Sequence, residues 1–559
     1  MKMRTFQPKK VENSRVSKYV ECGECKLGIK SSDFFLHCDC CEACFHGLCV
    51  NIEEYEYYEI ETYHCSKCES LHGRSSAKLV CNIHRRDKSE MDDNLQTESG
   101  TPQFLLDLMQ AELCDGEQIV DKVKGQSLTM GYLLKRGFNR PIVVECIDGL
   151  DMQVPNEDFD ERVVMSKIGT DYVLDVFNAR RQEMMKMKML TFVRLMQTHP
   201  SQRDASVYYD CHSLEISRTE LSNMVRVPRV VNNMCWISSC WPQSHFKPEL
   251  LKYCVISMER SYLDFHIDYG GSSMWYHVFK GQKIFFLVEP TINNIALYEQ
   301  WKASPNQSET PFYRCVEKCY KFKLNQGSTL FIPGGWIHAV YSSCDSIAFA
   351  GNFLHNFSIP FQLQINELEQ RLYGVNSFPY FELVHWYAAP ALNKFLQDNA
   401  KKIPSEEFIN HVNELVNALK DWLQKSKKSH DNCELLAPCG VNCQKIITDL
   451  MNSCRKAKRV LEGGELIEKH GRKRKSDDIN EKETRFLLSA ANNKRNKSKQ
   501  EEIMESENCS KIEEMEFPNG QENQNGFDSD INQISDIKIE CVSPSKTVNV
   551  QYFGDDGAQ

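Results

Sequence analysis

Apolar residues fall into short β-type runs across the middle of the chain and into helical spacing after it. Pro141-Ile142-Val143-Val144-Glu145, Lys283-Ile284-Phe285-Phe286-Leu287-Val288, Thr329-Leu330-Phe331-Ile332 and Ile347-Ala348-Phe349-Ala350 are brief and rich in β-branched and aromatic side chains. Short strands bounded by Gly and Pro predict a sandwich or barrel with added helices over about 101–372. Further on, Phe408, Val412, Leu415, Leu419 and Leu423 recur at three- and four-residue steps, the stripe of an amphipathic helix. Pro404-Ser405-Glu406-Glu407 offers it a cap and an acidic first turn. A helical bundle is predicted over about 378–461. The polar stretch 73–100 reads as a linker. Beyond Glu468, Lys, Glu, Asn and Ser dominate and aromatics are scarce, which predicts a disordered tail.

Length and charge narrow the class. At 559 residues, two or more folded units are expected. Hydrophobic residues at 41% and charged residues at 26% are ordinary for a globular protein. A net charge of −10 argues against broad nucleic-acid binding, so no sequence-specific DNA contact is expected, and it suits a basic partner. Met1–Lys10 is basic and polar with no apolar run, and nothing approaches a membrane span. An intracellular chain with reduced thiols and no membrane partner is therefore expected.

In that setting, crowded cysteines read as metal ligands. Nine lie between Cys22 and Cys68. In order, the chain offers Cys22-x2-Cys25, Cys38-x2-Cys41, His46-x2-Cys49 and Cys65-x2-Cys68, four close pairs that can close two tetrahedral zinc sites. Disulfides are the competing reading, disfavoured by the missing signal peptide. Cys433, Cys439, Cys443 and Cys454 match no zinc spacing and read as structural or surface thiols.

A second metal-type constellation lies in the β-rich region. Tyr262-Leu263-Asp264-Phe265-His266-Ile267-Asp268 contains His-x-Asp, and residues two apart in a strand share a face. His338 follows in Pro333-Gly334-Gly335-Trp336-Ile337-His338. Two histidines and a carboxylate make the facial triad of non-haem Fe(II) oxygenases, with coordination positions left open. His-x-Asp alone is weak, and a histidine in an apolar run is more often a core residue. Trp275-Tyr276-His277-Val278, Gly281-Gln282-Lys283 and Gly351-Asn352-Phe353-Leu354-His355 supply the context that raises it.

The first cluster resembles the plant-homeodomain (PHD) finger. That resemblance implies interleaved pairing: Cys22, Cys25, His46 and Cys49 on one zinc, Cys38, Cys41, Cys65 and Cys68 on the other. By position, the trimethyl-lysine cage of related fingers falls on Tyr19, Ile29, Phe35 and Cys44. Cys44 stands where a tryptophan normally sits, so weak methyl-lysine reading is expected. Tyr253 to Leu372 resembles a JmjC domain, closest to lysine demethylases with a PHD finger directly upstream. The resemblance implies a double-stranded β-helix of the jelly-roll or cupin type with surrounding helices.

It also implies that His266, Asp268 and His338 hold Fe(II), that Lys283 pairs with the far carboxylate of 2-oxoglutarate, and that Tyr276 and Asn352 support the co-substrate. Where relatives carry a threonine hydroxyl toward that carboxylate, this chain has Leu263, so weakened co-substrate binding is expected. The implied reaction turns 2-oxoglutarate into succinate and removes N-methyl groups as formaldehyde. Its expected substrate is mono- or dimethyl-lysine of the histone H3 tail, at lysine nine or twenty-seven, with the nucleosome as partner. The expected organisation is a finger at 17–72, a linker at 73–100, the oxygenase domain at 101–372, a helical segment at 373–465 and a tail at 466–559. Gly471-Arg472-Lys473-Arg474-Lys475 and Lys494-Arg495-Asn496-Lys497 read as nuclear import signals. A catalytically dead chromatin scaffold and a protein hydroxylase on the same iron remain the alternatives.

Overall fold

The computed structural model describes residues 20–30, 33–78, 98–203, 208–374, 378–398, 406–428, 437–438 and 440–462. Tyr19, Pro404, Ser405, Cys433, Cys439 and the tail with its basic runs lie outside the described residues. All described residues belong to one compact unit, Met1–Ile467.

Two facing sheets form the centre. The larger has nine strands, in the spatial order Asp121–Lys122, Ile142–Val144, Thr329–Ile332, Ser273–Lys280, Ser346–Phe353, Tyr253–Ser257, Tyr209–Glu215, Val173–Asn178 and Glu183–Lys188. The smaller has five, in the order Tyr262–His266, Ile337–Ser342, Gln282–Val288, Tyr320–Asn325 and Cys114–Asp115. Val255, Tyr276 and Ala348 from one sheet and Phe285, Leu287 and Phe322 from the other share a single buried core. This is the double-stranded β-helix arrangement expected for the region.

The Gln282–Val288 strand shows why Ile284–Val288 is apolar throughout. It lies between Ile337–Ser342 and Tyr320–Asn325 in the sheet, and both of its faces are buried, so alternation disappears. Phe285 and Leu287 enter the core between the sheets. Ile284, Phe286 and Val288 point the other way, against Phe104, Trp301 and Ile365. Burying each such side chain contributes about 1.5–3 kcal/mol. Gly281 turns the chain into this strand at φ +82, where a Cβ would sit 2.4 Å from the Asp345 carbonyl oxygen. Only glycine takes that turn without strain.

The helical segment packs its last three helices on the outer face of the nine-stranded sheet, while its first turns Ile365 and Leu368 onto the outer face of the five-stranded one. The helices of the segment are Ile359–Tyr373, Phe381–Asp398, Glu406–Lys428 and Cys443–Leu461. The first spans the expected boundary at 372. Phe408, Val412, Leu415 and Leu419 are buried as their spacing requires, while Leu423 is half-buried. Cys443 and Cys454 are buried core thiols.

The N-terminal cluster forms two small hairpins, Phe35–His37 with Cys44–His46 and Ile60–Thr62 with Ser76–Ala77, plus the helix Ser66–His72. Because Ser76–Ala77 pairs back onto Ile60–Thr62, the ordered finger runs into the expected linker as far as Lys78. The finger also docks on the β-region. The Thr191 hydroxyl donates to Glu53 at 2.5 Å, and Tyr55 and Tyr58 pack against the main core.

Candidate metal centre and co-substrate pocket

His266 ends one strand and His338 lies opposite it in register on the next. Their rings are 4.3 Å apart between centroids. Asp268 is not part of the strand, which stops at His266. It precedes the short 3-10 turn Tyr269–Gly271 in extended conformation, φ −58 and ψ 141. The same-strand rationale for His-x-Asp therefore fails in detail. The chain turns after Ile267 and the carboxylate converges nonetheless. One donor atom from each of His266, Asp268 and His338 lies within 4.8 Å of the others.

The hydrogen bonds fix which imidazole nitrogen faces the site. His266 Nδ1 donates to the Asp264 carbonyl at 3.0 Å and His338 Nδ1 to the Trp336 carbonyl at 3.1 Å. A carbonyl only accepts, so in each neutral ring the lone pair belongs to Nε2. His338 Nε2 is buried without a protein partner. Burial, reinforced by His338, holds His266 well below the usual imidazole range. Burial pushes the Asp268 carboxyl up, opposed by His338 and by a hydrogen bond from Asn352. Two neutral imidazoles with outward lone pairs and one carboxylate fit a divalent iron-type ion. Asn352, expected beside the co-substrate, is hydrogen-bonded to Asp268, and its amide also donates to Ser272 at 3.3 Å.

Deeper in the same core lies Lys283, 1% exposed. It sits opposite Ser342 in register, and its Nζ donates to Ser342 Oγ at 2.7 Å and to Ser257 Oγ at 2.5 Å. Burial lowers its pKa, and Asp210 opposes that shift. The Tyr276 hydroxyl is buried without a partner. An ammonium and an orphaned phenol fit a carboxylate.

Leu263 reaches the same face through a bulge. Leu263 pairs with Val340 and His266 with His338, so three steps on one strand oppose two on the other. That irregularity aligns Leu263 with His266, whereas a regular strand would put them on opposite faces. Ser257, Ser342 and Asp210 were not legible as site residues. The one available signal was Asp210 itself, an acid inside the largely apolar run Tyr208-Tyr209-Asp210-Cys211.

The finger assembles two further donor sets. Cys22, Cys25, His46 and Cys49 form one and Cys38, Cys41, Cys65 and Cys68 the other, each within 4.8 Å. The His46 amide donates to Cys22 Sγ and the Cys65 amide to Cys38 Sγ, both at 3.3 Å. Burial opposes ionisation of these two thiols, yet backbone N–H donors bring each down to about 6. His46 turns Nδ1 toward Cys25 at 3.4 Å and Nε2 toward Asp33 at 3.7 Å. Tetrahedral zinc with carboxylate-backed histidine fits this chemistry. Of the expected cage positions, Ile29 and Phe35 are half-buried. Cys44 is buried, with its thiol 3.2 Å from His37 Nδ1. No further group of this kind occurs among the described residues.

A β-helix core holding a His/Asp/His triad beside a buried lysine defines an oxygenase-type centre, and comparison with known proteins agrees. Residues 253–353 match the JmjC domain, hydroxylase, and residues 357–458 match the Jumonji helical domain. The chain is similar to Lysine-specific demethylase 7B of Danio rerio, 40% identical over 408 residues that cover 72% of this chain and 70% of the relative. It is also similar to Lysine-specific demethylase 7A of Danio rerio, at 41% over 408 residues, 72% of this chain and 46% of that protein. The Homo sapiens 7A protein is 37% identical over 454 residues, 80% of this chain and 47% of that protein. The chain belongs to the JmjC-domain lysine demethylase family. It spans about half the length of its 7A relatives. No helix among the described residues is long and apolar enough to cross a membrane.

Proposed function

We propose that the protein is an Fe(II)- and 2-oxoglutarate-dependent histone lysine demethylase acting on mono- and dimethyl-lysine of the H3 tail, at lysine nine or twenty-seven, in the nucleus. The observation that carries the reading is the triad: His266, Asp268 and His338 turn three donor atoms toward one point, with both imidazoles fixed through Nδ1. These residues would hold the iron, which when bound supplies oxygen activation coupled to oxidation of a 2-oxo acid. Asn352 orients the Asp268 carboxylate. Lys283 and Tyr276 would hold the far end of the co-substrate, and the surrounding core of Phe285, Leu287 and Val255 excludes water from it. In the finger, the two sulfur-rich sets would hold zinc and so stabilise a fold with little core of its own.

A second reading has a specific observation behind it. Asp210 faces Lys283 through Ser257, and Leu263 brings no hydroxyl to the site. Both features favour a catalytically weak chromatin-binding scaffold. Mass spectrometry of methylated H3 peptides incubated with protein, Fe(II) and 2-oxoglutarate separates the readings. A demethylase makes the peptide about 14 Da lighter per methyl group, a hydroxylase makes it about 16 Da heavier, and a scaffold leaves it unchanged.

A further inference from the structure

The co-substrate pocket contains a second buried charge. Asp210, 6% exposed, stands opposite Ser257 in the register of neighbouring strands. The Ser257 hydroxyl donates to Asp210 Oδ1 at 2.9 Å while accepting from Lys283 Nζ at 2.5 Å. One hydroxyl thus bridges ammonium and carboxylate, and the two charges offset each other in a water-poor interior. The wall next to Asp210 is apolar. Phe177 lies opposite Asp210 in register, meets the His212 ring edge-on at 5.6 Å, and packs in one small cluster with Leu263.

The charges of a bound 2-oxo acid can be counted against this frame. At the metal end, a divalent ion is balanced by Asp268 and the 1-carboxylate of the acid. At the far end, Lys283 and Asp210 already sum to zero. A second carboxylate placed there adds an unbalanced negative charge, met by the Tyr276 hydroxyl and one remaining proton of Lys283. A tail without charge leaves the pocket neutral and lies against Leu263.

We propose that Asp210 is a specificity-determining residue of this pocket: by offsetting Lys283 it sets the pocket to accept 2-oxo acids with an uncharged tail about as well as 2-oxoglutarate. The proposal rests on the reading of the site as a 2-oxo-acid-dependent metal centre. It goes beyond that reading in giving the tail subsite a neutral balance, against the single positive charge that Lys283 alone would give it.

The test is calorimetric titration of the full chain, loaded with Mn(II), by 2-oxoglutarate and by 2-oxopentanoate, which has a methyl group in place of the far carboxylate. The natural protein should bind the two acids within about tenfold of each other. Asp210→Asn should tighten 2-oxoglutarate by roughly ten- to a hundredfold and leave 2-oxopentanoate within about threefold. A natural protein preferring 2-oxoglutarate by more than about a hundredfold overturns the proposal, and that measurement decides even where the variant does not fold. A folded Asp210→Asn protein with an unchanged preference overturns it as well. Binding of Mn(II) but of neither acid, in either protein, overturns the co-substrate reading of the whole site, so the two failures are told apart.

Discussion

Arg181 Nε donates to both carboxylate oxygens of Glu59 at 2.8 Å, and its terminal amine also meets Oε2. Glu59 lies in the finger and Arg181 in the β-region, where Asn178 adds a fourth contact to the same carboxylate at 3.1 Å. The Arg181 side chain is 6% exposed and that of Glu59 32%. The pair is therefore far less screened than a surface salt bridge and fixes the finger against the oxygenase domain. A double-mutant cycle of Arg181→Ala and Glu59→Ala should give a coupling energy above about 1 kcal/mol. Either single variant should also raise amide exchange in 54–62 and 173–188 together. A coupling near zero would show that the pair does not hold the finger.

Zinc removal should unfold the finger and spare the β-region. The finger core is small, with Leu36, Phe45 and Tyr63 as its main buried side chains besides cysteines, and below about 40–60 residues metal binding usually supplies the missing stability. Two zinc ions per chain are expected by metal analysis. Chelation should abolish amide protection in 20–78 while leaving the 253–353 core protected.

The finger should bind trimethyl-lysine peptides poorly. Cys44 is buried with its thiol against His37 Nδ1, so that position gives no aromatic face to a quaternary ammonium, and Ile29 gives none either. Titration of a peptide trimethylated at lysine four should show affinity little different from the unmethylated peptide. Tight, methyl-dependent binding would contradict this.

His355 sets an acid limit on stability. Its Nδ1 accepts from the Phe357 amide at 3.1 Å, so the proton sits on Nε2, which donates to Ser273 at 2.6 Å. Burial lowers its pKa to about 3, against about 6.5 in the unfolded chain. Between these values the unfolded state binds more protons, so the contribution is complete above pH 6.5 and is lost as pH falls toward 3. Urea unfolding should lose about 2–3 kcal/mol from this residue between pH 6.5 and 4.5. His355→Asn should be less stable at pH 7 yet show a shallower slope.

The sequence made some features legible and hid others, for physical reasons. Runs such as Ile284–Val288 and Leu330–Ile332 read as strands because both faces are buried and every position is apolar. The three donor clusters were legible because close pairs and His-x-Asp bring donors together over a few residues. Asp268 was placed on a strand because nothing local marks where the Tyr262–His266 strand stops. The Lys283–Ser257–Asp210 chain was invisible because it depends on the register of strands 26 and 47 residues apart. Edge strands such as Asp121–Lys122 and Cys114–Asp115 are two residues long and carry no periodicity to detect.

Lysine demethylation at this centre is tested most directly with a dimethylated H3 peptide, by quantifying succinate and formaldehyde in the same reaction at saturating Fe(II) and 2-oxoglutarate. Equal amounts of the two products are expected from the natural chain. None of either is expected from His338→Ala, which removes a donor whose Nε2 faces the site. Formaldehyde that persists without His338, or succinate formed while every peptide tried keeps its methyl groups, would contradict the assignment of this centre to lysine demethylation.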